Sequence, residues 1–514
     1  MKFNRTKNAT RTFFFGLLTK LITILFPFII RTIIIYKLGA EYVGLTSLFT
    51  SVLQILNVSE LGISSAISFC LYKPIAEDDK KSINALIALM KKLYKIIGCV
   101  ILGTGLIIIP FLKHFISGTY PESVNIYILY IIYLLNAVVS YFGYAYKSIL
   151  FEAYQKGDVN HKILAIVEVL KYIMQIIVLI CFANYYWFAA LLPFSSILVT
   201  IITEINSKKQ FPEIEPKGVV SEELKIIIRK KVLFLSAHSI AATLTNSIDN
   251  IVISSSLGLI ATAIYGNYFY IFSSITSIIV ILFRAIKPVV GNSIYSDSTE
   301  KKDELFGAIQ FLIYWIAIWT STSLLCLYQP FMKVWVGDAY VLGISSVMMI
   351  VLYYYSNIIK LSYSNIYIDA AGLWDKTLLR QIAVAIINLV LDVTLVNKFG
   401  IAGIVFASFF ATALIGLPLD VIVTYKYILE KDTKSGLLNT GLQFIIATCI
   451  CMISYFICSN ISINNVYINV FINVIICCVV PNLTLFLMYR NSYYFKFLLE
   501  HINSLIKRNR YISN

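Results

Sequence analysis

Apolar residues in this chain come in long unbroken blocks rather than in alternation. From about Phe13 to Tyr489 these blocks follow one another with short polar gaps between them. A hydrocarbon layer about 30 Å thick needs about 20 apolar residues per helix. The pattern therefore predicts membrane-spanning helices over 13–38, 44–71, 95–116, 124–147, 163–183, 186–205, 232–257, 262–287, 306–327, 341–369, 380–398, 401–425, 438–459 and 466–489. The expected fold class is an all-α polytopic membrane protein of about 14 transmembrane helices.

Composition agrees with the pattern. Of 514 residues, 59% are hydrophobic and only 13% charged, about half the charge of a water-soluble domain. Basic residues cluster in alternate connections: Lys2 to Arg11, Lys73 to Lys95, Lys147 to Lys162, Lys208 to Lys231, Arg284 to Lys302, Lys376 with Arg380, Lys426 to Lys434, and Arg490 to Arg510. The opposite side carries only Lys37, Lys113, Lys333 and Lys398. The positive-inside rule then predicts a multi-pass membrane protein with both termini in the cytoplasm. The same distribution explains the formal charge of +15 without a nucleic-acid partner, for which no motif is present. The basic start of the chain precedes an apolar run too long for a cleaved signal peptide, so that run is expected to stay as the first span. All nine cysteines sit inside apolar runs and read as small hydrophobes, with no histidine spaced to share a metal.

Two halves are visible. A stretch with Pro212, Pro216 and mixed charge separates them, which gives an N-terminal six-helix lobe over 1–205, a cytoplasmic linker over 206–231, a C-terminal six-helix lobe over 232–425, and two additional helices with a basic tail over 426–514. The end of the first span, RTIIIYKLGAEYVGL (Arg31 to Leu45), resembles the end of the seventh, NIVISSSLGLIATAIYG (Asn250 to Gly266). Setting Leu38-Gly39 on Leu257-Gly258 places Arg31 opposite Asn250, beside Asp249. Paired six-helix bundles around a central site suit a transporter that opens to alternate sides. Shared apolar composition is the competing explanation.

Polar residues inside the spans carry the candidate chemistry, because a charge at mid-bilayer costs about 2.5–3.5 kcal/mol on insertion scales. Lys20 and Arg31 share one face of the first span, about 16 Å apart along the axis. Gln54, Asn57, Glu60, Ser64 and Ser68 form a stripe on the second. Together they outline a polar, partly cationic groove suited to an anion such as a phosphate, which arginine meets with a planar donor fork. Alternatively, Lys20 snorkels to the surface, and Arg31 with Glu60 forms a structural ion pair. In the second half, Asp249 on the seventh span and Asn388 with Asp392 on the eleventh offer oxygen ligands for a small hard cation; helix gluing by a shared proton is the alternative. Glu168 beside Lys171, and Asp369 near Lys360, read as packing or boundary pairs. Asp420 has no evident role.

Several strings in order resemble the bacterial polysaccharide repeat-unit flippases, of O-antigen and capsule type, in the multidrug/oligosaccharidyl-lipid/polysaccharide exporter superfamily. They are KLGAEYVGLTSLF (Lys37 to Phe49), ELGISSAISFCLYKPIAEDD (Glu60 to Asp79), KPVVGNSIYSDSTEKKDELF (Lys287 to Phe306), PFMKVWVGDAYVL (Pro330 to Leu342), AAGLWDKTLLRQ (Ala370 to Gln381) and NKFGIAGIVFAS (Asn397 to Ser408). The resemblance implies two six-helix lobes around a central cavity and alternating access. It implies flipping of polyprenyl-pyrophosphate-linked oligosaccharides from the cytoplasmic to the outer leaflet for surface polysaccharide biosynthesis, with membrane lipid and a polysaccharide polymerase as partners. It implies a pyrophosphate contact at Arg31 and a family-like helix-two acid at Glu60; with the groove residues Lys20, Gln54 and Asn57 these are the expected substrate contacts. A second cavity arginine of the family's helix two has no counterpart, since Gln54 and Ile55 stand near that point. It further implies no cofactor beyond a coupling ion, Na+ or H+, with a sodium site of Asp249, Asn388, Asp392, the Ile404 carbonyl and the Ser408 hydroxyl. Two other readings compete: a multidrug cation antiporter of the same fold, and a membrane oligosaccharide polymerase or ligase. Short outer connections with few catalytic candidates argue against an enzyme.

Overall fold

A computed structural model describes residues 5–57, 63–143, 145–461 and 465–500. Among these residues the chain is helical nearly throughout, with no strand. Helices α1 (Arg5–Lys37), α2 (Ala40–Leu56), α3 (Ile63–Ala76), α4 (Lys80–Ile108), α5 (Ile126–Phe142), α6 (Ala145–Ala153), α7 (Gly157–Cys181), α8 (Tyr185–Gln210), α9 (Glu222–Leu257) and α10 (Leu259–Ser296) come first. They are followed by α11 (Thr299–Val336), α12 (Ile344–Ala371), α13 (Trp374–Phe399), α14 (Ile401–Tyr427), α15 (Thr433–Asn460) and α16 (Val466–Tyr489).

Eleven described helices are long and apolar enough to cross a membrane, and twelve if the bent pair α5–α6 counts as one span. The protein is thus a multi-pass, all-helical membrane protein. Of the fourteen expected spans, the second and seventh are not among those twelve. The described parts of the second are α2, with only 17 residues, and α3, with 14; 58–62 lie outside the described residues. The seventh lies on α9, which carries the polar residues Thr243, Thr245, Ser247 and Asp249 and has a mean hydropathy below that of the others.

The chain forms two compact units, residues 1–266 and 267–514. The expected linker, 206–231, comprises the end of α8, a non-helical stretch over 211–221, and the start of α9. Within the first unit, α1 packs along α7, with Phe26 stacked on Tyr172 at 5.4 Å and Arg11 paired to Asp158 at 2.8 Å. Gly39 and Gly258, the two positions aligned by the internal repeat, both break a long helix at positive φ, 120° and 86°. A side chain there would be strained, so the same residue serves the same turn at α1–α2 and α9–α10. Gly44 of α2 sits so close to the Leu259 backbone that a Cβ would overlap its carbonyl, which locks the start of α10 against α2.

Three tyrosines of α5 face the interior. Tyr130, Tyr133 and Tyr141 are buried, and the Tyr133 hydroxyl meets Tyr185 at 3.2 Å and donates to Thr46 at 3.3 Å. They hold α2, α5 and α8 together.

In the second unit, α12 and α14 each contain a π-helical turn, Tyr363–Ile368 and Ala411–Gly416. A π turn inserts an extra residue and re-aims the side chains beyond it. Gly416 in the second turn lies against the aliphatic stem of Lys360.

Candidate functional site

In the first unit, polar side chains of α1, α2, α9 and the start of α10 converge. Arg31 is half-buried on α1, and its Nη2 donates to the Ser47 hydroxyl at a long 3.5 Å. Gly266 lies beside the same guanidinium, where an added Cβ would stand 3.6 Å from Nη1. Ser47 and Ser51 are one turn apart on α2, so they share a face. Ser51 accepts from the Asn250 side-chain amide at 2.9 Å. Beside it, the buried Asp249 carboxylate accepts a hydrogen bond from the Tyr265 hydroxyl. The Asn250 Oδ1 and the Asn57 Oδ1 are buried without a hydrogen-bond partner among the described residues. An arginine fork bordered by hydroxyls and amides can receive an anion with several charge-assisted donors.

The expected substrate residues sort accordingly. Arg31 joins the network. Lys20 lies half-buried on α1, and Gln54 is exposed at the end of the α2 stripe. Asn57 caps α2. Glu60 lies outside the described residues, as does any pairing of it with Arg31. Ser47 and Tyr265 were not singled out by the sequence reading. The signal for Ser47 was its position two turns before Gln54, where the polar stripe begins.

Four of the five expected cation ligands fall in the second unit. Asn388 and Asp392 on α13, and Ile404 and Ser408 on α14, are all buried. Asn388 donates its amide to the Ser408 hydroxyl at 3.2 Å, and its Oδ1 has no hydrogen-bond partner among the described residues. Asn388 and Asp392 lie on one helix face. The Ile404 carbonyl belongs to a regular helical turn and keeps one lone pair beyond the helix ladder. These donors are oxygens of the hard type that sodium takes, and the orphaned amide oxygen fits a cation. Asp249, the fifth, belongs to the first unit, where Tyr265 engages it.

The second unit also holds an ion pair that sequence reading missed. Arg380 Nη1 donates to Asp420 Oδ2 at 2.5 Å, and Ser364, inside the first π turn, donates to the same oxygen at 2.7 Å. The two charged side chains are 4% and 0% exposed. Arg380 was counted among the cytoplasmic charges, but α13 begins at Trp374 and carries it inside. The expected pairing of Asp369 with Lys360 is also replaced. Asp369 is held by Lys287 at 3.2 Å and by the Trp374 indole at 2.9 Å, while Lys360 is buried near Arg380 and Asp420. Glu168 does pair with Lys171, at 2.6 Å.

An all-helical chain with this many apolar crossings, and with polar clusters inside its helices, has the architecture of a membrane transporter. The chain belongs to the polysaccharide biosynthesis protein family, whose model matches residues 9–293. Its fold is similar to that of the lipid II flippase MurJ in an inward closed conformation, with a TM-score of 0.67 at 15% identity over 95% of this chain and 99% of that one. It is also similar to multidrug resistance MATE family transporters of the MOP superfamily. An inward-facing structure gives a TM-score of 0.59 at 14% identity over 82% of this chain and 95% of the other. An outward-facing one gives 0.58 at 14% identity over 84% and 97%. No curated protein sequence matches the chain.

Proposed function

We propose that this protein flips polyprenyl-pyrophosphate-linked oligosaccharide repeat units from the cytoplasmic to the outer leaflet by alternating access, for surface polysaccharide biosynthesis. It works in the bacterial cell membrane with both termini in the cytoplasm, and it is not an enzyme. The observation that carries the reading is Arg31, on a membrane helix, reaching Ser47, which lies one turn along α2 from the Ser51 hydroxyl that Asn250 donates to. Such a cation at membrane depth marks a pathway, and its planar fork suits the oxygens of a pyrophosphate. Family membership and the fold shared with a lipid II flippase support a lipid-linked saccharide as cargo. An O-antigen or capsule unit is the expected form, and a polysaccharide polymerase the expected partner on the outer side.

A sodium ion held by Asn388, Asp392, the Ile404 carbonyl and Ser408 would couple transport to the sodium gradient; a proton on Asp392 is the alternative coupling ion. The likeness to multidrug transporters keeps export of amphipathic cations as the second reading, which a cationic Arg31 disfavours. The deciding experiment is the leaflet distribution of lipid-linked repeat units after the protein is depleted. Complete units accumulating on the cytoplasmic leaflet support flipping. Unpolymerised units outside favour a polymerase, and an unchanged glycolipid with altered drug efflux favours the exporter.

A further inference from the structure

Three thiols from three helices of the second unit converge: Cys326 of α11, Cys458 of α15 and Cys477 of α16. They are 4%, 7% and 1% exposed, and their Sγ atoms all lie within 4.8 Å of one another. Among the described residues no other set of three histidine, cysteine or acidic ligand atoms converges in this way. The surrounding groups are Leu327, Tyr455, Ile457, Ile472, Ile476 and Val480, hydrophobic side chains with no charge among them.

One atom bonded to two sulfurs at about 2.3 Å each sets them about 4.0 Å apart in a trigonal arrangement and at most about 4.6 Å apart in a line. From separations of at most 4.8 Å, a contraction of up to about 0.8 Å per pair seats a planar trigonal centre, and up to about 1.3 Å a pyramidal one whose bond angles near 100° set the sulfurs about 3.5 Å apart. Sulfur donors select soft, thiophilic centres. The apolar setting then selects by charge. Three thiolates on a monovalent or divalent ion leave a net negative complex, and burying an uncompensated charge in such surroundings is costly. Three thiolates on a trivalent centre leave none.

We propose that Cys326, Cys458 and Cys477 form a binding site for a trivalent thiophilic metalloid of the arsenite class. Arsenous acid arrives uncharged as As(OH)3. Three S–H and three As–OH bonds break, three As–S bonds form, and three waters leave with the thiol protons. No electron is transferred and no charge remains buried. The bound centre ties α11 to α15 and α16, a cross-link that the chain connectivity does not otherwise provide.

The test uses the full-length protein in detergent, with the other six cysteines (Cys70, Cys99, Cys181, Cys449, Cys451 and Cys478) replaced by serine. Arsenite is added, the protein is alkylated with maleimide after denaturation, and its intact mass is read. The expected result is one arsenic per chain with all three thiols protected, reversed by a small dithiol. Cys326→Ser, Cys458→Ser and Cys477→Ser should each abolish three-thiol protection, and cadmium should not be retained under the same washing. Because the readout is already decisive on the three-cysteine protein itself, misfolding of a single variant does not blur it. Three freely alkylated thiols at saturating arsenite would overturn the proposal. Protection of only two thiols would overturn it as well and would leave the cluster as helix packing, and cadmium retention equal to that of arsenic would overturn it by making the cluster a divalent soft-metal site.

Discussion

Charged and polar side chains lie inside the helices of both units, but they are handled differently. In the first unit Arg31 is half-buried and reaches the Ser47 hydroxyl across a long 3.5 Å, among other hydroxyls and amides. In the second, Arg380 is buried directly against Asp420, with Ser364 on the same oxygen. Arg31 has neighbours that exchange hydrogen bonds easily, because a hydroxyl both donates and accepts. Arg380 has a full counter-charge in place, and removing one partner leaves a bare charge in the interior. The comparison teaches that depth in the sequence pattern does not separate an arginine that meets a hydroxyl from one buried against a carboxylate. What separates them is the chemistry of the neighbour each finally meets.

The largest expected effect breaks the structural side of this comparison. Asp420→Ala should destabilise the protein by about 3–5 kcal/mol, since Arg380 is then buried without its partner. Replacing both by well-packed apolar residues, Arg380→Met with Asp420→Leu, should recover most of that loss. Thermal unfolding in detergent measures both; a wild-type melting point for Asp420→Ala would show the pair to be dispensable.

Next comes the cation cluster of the second unit. If Asn388, Asp392 and Ser408 hold sodium, the ion should stabilise the wild type by about 2.7 kcal/mol at a hundredfold excess over its dissociation constant. Asp392→Asn should remove that gain. Sodium titration of the melting temperature, with potassium as the control, separates an ion site from a helix-packing contact; an unchanged sodium response in the variant would leave packing as the role.

Arg31→Ala tests the other side of the comparison. It should lower flipping roughly 10–100-fold, the equivalent of about 1.5–3 kcal/mol for hydrogen bonds to a charged group, with protein abundance near normal. Arg31→Lys should recover part of the rate, because the charge returns without the planar fork. Wild-type flipping in Arg31→Ala would take Arg31 out of phosphate binding. A drop in abundance matching that of Asp420→Ala would instead make Arg31 structural.

The smallest effect lies outside the membrane segments. Asp79 caps α4, accepting from the Ser82 backbone amide at 3.1 Å, and the Ser82 hydroxyl, together with that amide, holds its carboxyl below the ordinary value. The folded group is therefore the stronger acid. Its capping contribution is complete above the unfolded carboxylate range, near pH 4, and fades as pH falls through the lower folded value. Asp79→Asn should flatten this part of the acid-unfolding profile while leaving stability at neutral pH nearly unchanged.

Much of the fold was legible before any coordinates. Apolar blocks of spanning length specify helices because a backbone in lipid has no other way to satisfy its hydrogen bonds locally. The repeat of Leu38-Gly39 on Leu257-Gly258 was equally visible, and its physical content is the positive φ that only glycine adopts freely. Asn388 with Asp392 shared a face by spacing alone, and Ser408 was assigned beside them by family resemblance. Other features depend on separations that periodicity cannot express. Arg380 looked like a loop charge until the start of α13 at Trp374 placed it one and a half turns inside. Asp420 acquired a meaning only when a partner forty residues away met it next to a π turn. Cys326, Cys458 and Cys477 looked like scattered small hydrophobes, and only helix packing brought their sulfurs together. Sequence by itself determined the helices, their apolar faces and the glycine breaks, because those follow from local chemistry and one uniform solvent. Tertiary structure decided which polar groups meet, because that depends on rotation and register between helices, and apolar faces fix those only once they are packed against one another.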